Sequence, residues 1–189
     1  MSFFNKLYRF YISNCGSSDN KCKYLRKRGA IIGEGTILNG DLATFGGEPY
    51  LIKVGENCLF AWGVKLITHD GGIRVLNQLG RFNGNKADKI GKIVIGNNVY
   101  VGMSAMIMPG VEIGDNCIIG AHTVVTKNIP SNSVVVGVPA RVISSIDEYY
   151  EKHKKYVYYT GGMNFQEKKS FYENIEFEGL IPKVNNDIK

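Results

Sequence analysis

Residues 95–130 read IGNNVY, VGMSAM, IMPGVE, IGDNCI, IGAHTV, VTKNIP, which puts an aliphatic side chain at every sixth position: Ile95, Val101, Ile107, Ile113, Ile119 and Val125. A repeat of this kind is sought before secondary structure, because missing it misassigns the whole fold. A longer period is superposed on the hexads. Gly96 returns as Gly114, Asn98 as Asn116 and Gly102 as Gly120, each 18 positions on. A period of three hexads predicts a triangular solenoid, in which each hexad supplies a short strand and a corner, and equivalent residues stack from coil to coil. The aliphatic rows then form the core. Corners require unusual φ, which glycine and asparagine tolerate. Asn57, Asn98 and Asn116 each stand three places after an aliphatic residue, and Cys58 and Cys117 follow at the fourth.

Working outward, VGENCL, FAWGVK and LITHDG keep the register at Val54, Phe60 and Leu66, and Ile32 with Gly33 opens a weaker coil. Ile32 and Val54 lie 22 positions apart, one coil plus four, with the surplus expected to loop out at FGGEP. Val54 and Ile95 lie 41 apart, which reads as two coils plus five. Residues 72–92 lack a clean hexad and are expected to form an excursion carrying a loop over the site, with Gly71 and Gly72 permitting its sharp exit. Residues 2–14 are expected to form a short amphipathic helix. Ser145 and Glu148 open SIDEYYEKHKKYVYY with a Ser-x-x-Glu pattern, which predicts a capped helix covering the last coil. The expected organisation is an N-terminal cap over 1–29, the solenoid over 30–143, and a C-terminal helix and tail over 144–189.

Composition agrees with one soluble domain. The 23 glycines among 189 residues are nearly twice the usual share of about 7% and imply a chain that turns often. No apolar run approaches the roughly 18 residues of a membrane span, and the N-terminus mixes aromatics with Lys6 and Arg9 rather than building a signal core. A cytoplasmic protein is expected. The four cysteines lack C-x-x-C spacing, so buried reduced thiols are expected rather than a disulfide framework. The net charge of +6 permits a polyanionic partner without choosing one. Lys152, Lys154, Lys155, Lys168 and Lys169 cluster without a nucleic-acid-binding module, and attraction to a membrane surface accounts for them equally well.

The hexads, followed in order by VVTKNIP and GVPARVI within residues 99–143, resemble the hexapeptide-repeat acyltransferases, and specifically their CoA-dependent sugar O-acetyltransferase branch. The resemblance covers residues 30–145 and implies an all-β, left-handed parallel β-helix. It further implies a homotrimer with sites between subunits, acetyl-CoA as donor and no metal. ITHDGG at 67–72 is similar to the family's catalytic histidine segment and makes His69 the expected general base, with Asp70 either orienting it or closing a turn. Asp41 and Glu48 are alternative orienting carboxylates. By the same resemblance Met103, Ser104 and Ala121 line the pantetheine arm, and Thr126, Lys127 and Arg141 lie near the CoA nucleotide. Tyr100 and Trp62 are candidate acceptor-binding aromatics, Tyr100 having an exposed place on the coil edge as its alternative and Trp62 being better suited to a subunit interface. Where the family has G-A-G, this chain has GAH, with His122 in place of the second glycine.

The chemistry needs one base. A sugar hydroxyl is protonated at neutral pH while a thioester is already a good acyl donor, so removing the hydroxyl proton is the enzyme's main task, worth about 10²–10⁴-fold. N-acetylation of an amino sugar is the alternative reaction, and a non-catalytic glycan-binding solenoid the alternative class. Zinc chemistry would need three convergent histidines; His69, His122 and His153 lack the spacing for it.

Overall fold

Each hexad places one residue outward and the next inward before the chain turns, so the strands are only two or three residues long. The computed structural model describes residues 3–175. In chain order they form α1 (Phe3–Cys15), α2 (Ser18–Lys27), β1 (Ile31–Ile32), β2 (Ile37–Leu38), β3 (Ile52–Val54), β4 (Leu59–Phe60) and β5 (Lys65–Leu66). Then follow α3 (Ile73–Gln78), β6 (Ile93–Ile95), β7 (Tyr100–Val101), β8 (Met106–Ile107), β9 (Glu112–Ile113), β10 (Ile118–Ile119) and β11 (Val124–Val125). The chain continues with β12 (Ser133–Val136), β13 (Arg141–Ser145), α4 (Ile146–His153) and α5 (Phe165–Glu173).

Successive strands enter three sheets in rotation, ordered β1-β3-β6-β9, β2-β4-β7-β10-β12-β13 and β5-β8-β11. The pairings are parallel except β12 with β13, so the backbone winds as a three-sided parallel solenoid. Ile95 pairs with Ile113, Val101 with Ile119 and Ile107 with Val125, the 18-residue period expected from the hexads. All six are at most 2% exposed, and each buried aliphatic of this size contributes about 1.5–3 kcal/mol. The following turn is shorter, since Ile118 pairs with Val134.

The two interruptions differ in how well they follow the expected spacing. Ile32 pairs with Val54, so the four surplus residues lie between β2 and β3, where Leu42–Phe45 and Pro49–Leu51 form 3-10 turns. The 41-position gap does not hold two coils: β3 pairs directly with β6, and Val54 faces Ile95. It is one 18-residue coil plus 23 residues, an excursion that contains α3. Periodicity alone could not separate these readings, because residues that leave the solenoid carry no register.

The corners also divide into two kinds. Asn57, Asn98, Asn116 and Asn132 have φ of +54° to +61°, and the side chains of the last three form a ladder, Asn98 Nδ2 donating to Asn116 Oδ1 at 2.9 Å and Asn116 Nδ2 to Asn132 Oδ1 at 3.0 Å. Gly102 has no positive φ. A Cβ there would lie 2.6 Å from the Ala121 nitrogen, so close stacking of coils is what excludes a side chain. Gly71 and Gly72 likewise lack positive φ, and a Cβ on Gly71 would meet nothing within 4 Å; the excursion leaves the coil without needing glycine there.

At the N-terminus α1 is followed by α2, which Ser17 caps by accepting from the Asn20 amide. Ser18 Oγ accepts from the Leu38 amide at 2.7 Å, and Cys22 and Leu25 are buried beneath the helix. The first coil thereby has part of its open edge satisfied. Cys22, Cys58 and Cys117 are buried free thiols and Cys15 is exposed. Burial pushes the three buried thiols up, away from the reactive thiolate.

The described residues form two compact units, divided between Glu148 and Tyr149. Ser145 and Glu148 make the expected reciprocal cap of α4, the Ser145 amide donating to Glu148 Oε2 and the Glu148 amide to Ser145 Oγ. In the second unit α5 begins with the same device at Asn164 and Glu167, and Tyr158, Phe171 and Tyr172 pack edge to face. Residues 176–189 of the expected C-terminal tail lie outside the described residues. No described helix is long and apolar enough to cross a membrane.

Candidate active site

His69 stands at the neck of the excursion. It pairs antiparallel with Ile90, the Asp70 amide donates to Lys89 O at 2.9 Å, and the Gly91 amide to Thr68 O at 2.8 Å. The departing and returning chains are thus zipped together, which fixes the His69 backbone although the residues beyond it have left the solenoid. The imidazole itself is open, with 58% of the side chain exposed.

The carboxylate on this ring is Glu48. Its Oε2 lies 3.1 Å from His69 Nδ1 and accepts from the Thr68 hydroxyl at 2.6 Å. Thr68 is 1% exposed, so its hydroxyl is a fixed donor. The Thr68 hydrogen bond holds the Glu48 carboxyl below its ordinary range, opposed by partial burial and assisted by the His69 hydrogen bond and charge. An ionised Glu48 accepts Nδ1–H, which leaves the lone pair on Nε2 and makes that nitrogen the basic one. Glu48 comes from the four-residue surplus between β2 and β3, and His69 from the neck of the larger excursion. The two places where the repeat fails therefore meet and build the site.

Asp70 does not orient the imidazole. Its Oδ1 accepts from the Gly72 amide at 2.9 Å, and its Oδ2 pairs with Lys89 Nζ at 2.9 Å. Lys89 first, and then the Gly72 amide, hold this carboxyl below its usual range. Adjacent side chains diverge at this neck, and Asp70 fastens the excursion's two ends instead. Asp41 is also elsewhere, accepting from the Ala43 amide as the cap of the first 3-10 turn.

His69 and Glu48 face a cavity of about 590 Å³ walled by the excursion, with Tyr50, Ile73, Asn77 and Ile90 among its lining and Arg74 and Lys86 as cations. None of Trp62, Tyr100, Met103, Ser104, Ala121, Thr126, Lys127 or Arg141 lines it. Trp62, Met103 and Ala121 instead form a column on another edge of the prism: the Ser104 amide donates to Trp62 O at 2.9 Å and the His122 amide to Met103 O at 2.8 Å. At this edge Gly63, Ser104 and His122 take φ of +77°, +57° and +55°, so His122 occupies the left-handed corner that its place in GAH requires. Tyr100 lies on the outer face of the β2–β13 sheet beside Asn98, Asn116 and Ile146. Thr126 and Lys127 follow β11 and are exposed; Arg141 opens β13, its guanidinium donating to Pro139 O and Ala140 O. Within one chain His69 and the expected donor residues thus stand on separate parts of the surface.

Sequence reasoning named Glu48 only among alternatives and placed its segment in a loop. The available signal was a carboxylate inside an insertion one coil before His69, close enough in the stacking direction to reach it.

The repeat has relatives. A model of the bacterial transferase hexapeptide family (six repeats) matches residues 92–127. Protein CapG of Staphylococcus aureus is 41% identical over 151 residues, 79% of this chain and 86% of that protein. Galactoside O-acetyltransferase of Escherichia coli is 44% identical over 112 residues, 57% of this chain and 53% of that enzyme, so the match spans about half its length. A hexapeptide-repeat acetyltransferase structure from Vibrio cholerae aligns at 17% identity and a TM-score of 0.50, over 73% of this chain and 86% of that one, a likeness of fold. With hexads, coil geometry and extended identity in agreement, the chain belongs to the bacterial hexapeptide-repeat transferases.

Proposed function

We propose that the protein moves an acetyl group from acetyl-CoA to a hydroxyl of a sugar or surface-glycan precursor, with His69 as general base and Glu48 positioning it. The observation that carries this reading is the 3.1 Å contact between Glu48 Oε2 and His69 Nδ1 at the mouth of a cavity. A base held in one tautomer suits an acceptor that must lose a proton during attack, which favours a hydroxyl over a neutral amine. Its relative, the galactoside O-acetyltransferase, supports the carbohydrate class.

As the acceptor oxygen bonds to the thioester carbonyl carbon, its proton passes to His69 Nε2, and the ionised Glu48 stabilises the resulting imidazolium. The tetrahedral intermediate collapses with cleavage of the C–S bond, and the proton on Nε2 leaves with the CoA sulfur. The products are an acetyl ester and CoA thiol, and His69 returns neutral. The exposed Met103 and Ala121 column fits an extended pantetheine arm through backbone groups. Lys127 and Arg141 suit the phosphates of the nucleotide end.

The separation of the His69 cavity from that column supports a site completed by a neighbouring subunit, and hence a cyclic trimer of left-handed β-helices. The reading is that of a cytoplasmic enzyme. It is tested by an acetyl-CoA transfer screen against free sugars, nucleotide sugars and oligosaccharides, read by mass spectrometry, with light scattering on the same sample. An acceptor that gains one acetyl group and a particle of three chains is expected. Transfer to no hydroxyl acceptor, or a fully active monomer, would overturn the reading.

A further inference from the structure

The N-terminal helix is oriented against the usual amphipathic rule. In α1 the contacts to the rest of the fold come from Ile12, which is buried, from Ser13, whose hydroxyl accepts from the Leu42 amide, and from Tyr8, which packs on Tyr24. The opposite face is apolar. Phe4, Leu7, Phe10 and Tyr11 are 55–77% exposed and, at the α-helical repeat, fall within about 120° of the helix circumference. A soluble helix ordinarily turns such a stripe inward, and a contiguous exposed apolar patch marks a contact surface.

Charge says what that surface meets. Residues 1–28 hold seven of the chain's 23 lysines and arginines and one of its 17 acids, Asp19, so this segment carries +6. The remaining residues hold 16 of each sign, and the whole excess charge of the protein therefore sits at the N-terminus. Some of these cations are committed: Lys21 Nζ donates to Gly40 O, Arg26 to Ile32 O and Gly33 O, and Lys23 pairs with Asp19. Lys6, Arg9, Lys27 and Arg28 have no ion pair among the described residues. α1 itself contains Lys6 and Arg9 and no acidic residue.

We propose that α1 docks the protein on an anionic membrane surface. The helix lies in the interface plane with Leu7, Phe10 and Tyr11 among the headgroups and upper acyl chains, while Lys6, next to Phe10 around the helix, meets lipid phosphates and Arg9, on the side of Ile12 and Ser13, adds attraction at longer range. Aromatic rings suit this depth, and long basic side chains reach from it to the polar layer. A second copy of the chain is a poorer occupant: the protein outside this segment has no net negative charge to complement +6, and a symmetric α1 contact would oppose like charges.

The test is co-sedimentation of the full chain with vesicles of phosphatidylcholine alone, or with about three-tenths phosphatidylglycerol, at low and high salt. Binding to the anionic vesicles that weakens with salt, and little binding to the neutral ones, is expected. Lys6→Gln with Arg9→Gln should weaken partitioning by about five- to thirtyfold, from about 1 kcal/mol for a cation at the surface and less for one set back from it, and Phe10→Ser with Tyr11→Ser by about tenfold or more. Both pairs should leave acetyl transfer to a soluble acceptor and the oligomeric state unchanged. Equal sedimentation with both vesicle types, or wild-type binding by both variants, would overturn the proposal. Loss of the oligomer in the Phe10/Tyr11 variant would overturn it in favour of a contact between copies.

Discussion

Glu48→Gln removes a charge from beside His69 while keeping a side chain of the same length. The amide oxygen can still accept from Nδ1–H, so the variant isolates electrostatic stabilisation of the imidazolium from orientation of the ring. A unit charge at the observed 3.1 Å interacts by about 5 kcal/mol at an effective dielectric of about 20 and about 1 kcal/mol in bulk water. The His69 side chain is 58% and Glu48 25% exposed, and water screens the pair accordingly. We expect about 1.5–3 kcal/mol, a fall in kcat of about 10- to 100-fold. The assay is release of CoA thiol in the presence of the acceptor found by the screen, followed by steady-state analysis. KM for acetyl-CoA should stay within about threefold, because Glu48 makes no contact with the expected donor residues. In a His69→Ala background, Glu48→Gln should cost almost nothing more, since the charge then has no imidazolium to stabilise. A Glu48→Gln enzyme within about twofold of wild-type kcat would refute the coupling, as would full additivity of the two substitutions.

Asp70→Asn should leave kcat within about threefold and the thermal midpoint nearly unchanged, because its ion pair with Lys89 is largely exposed; a loss of kcat matching Glu48→Gln would return the orienting role to Asp70. Gly102→Ala forces a Cβ to 2.6 Å from the Ala121 nitrogen and should destabilise by about 3 kcal/mol, whereas Gly71→Ala, with open space around it, should change the thermal midpoint little. Glu48 is depressed in the folded state, so its contribution to stability is complete above its ordinary value of 4.5 and is lost as pH falls through the lower folded value. Thr68→Val removes the largest cause of that depression, and thermal unfolding followed between about pH 6 and pH 3 should fall less steeply with acid in this variant than in wild type.

The parts of the fold that obey a local rule were legible in the sequence. Ile95, Val101 and Ile107 repeat as Ile113, Ile119 and Val125 because each must fill the same interior slot one coil later, and Asn57, Asn98 and Asn116 repeat because each corner needs the same left-handed backbone. What breaks the rule was harder to place. The 23-residue excursion read as an extra coil with a smaller surplus, since chain length alone does not reveal where pairing resumes. Glu48 stands only among the alternative carboxylates for the same reason: its position depends on two insertions folding toward each other, which no period records. The motif points to His69 but leaves its partner open among Asp70, Asp41 and Glu48, because which carboxylate reaches the ring depends on how the turns fold. α2 and α5 carry signals in Ser17 and in the Asn164 to Glu167 spacing, but both lie outside the hexads, where no repeat supports a reading from so short a motif.

The central claim is that the His69 imidazole takes the acceptor proton, and the most direct measurement is single-acceptor turnover by His69→Ala alongside CoA binding and light scattering on the same preparation. The side chain is exposed and its backbone is held by the pairing of residues 68–70 with 89–91, so folding, assembly and CoA binding should survive. Turnover should fall by about 10²–10⁴-fold. A correctly assembled His69→Ala protein that transfers acetyl groups at close to the wild-type rate would contradict the account.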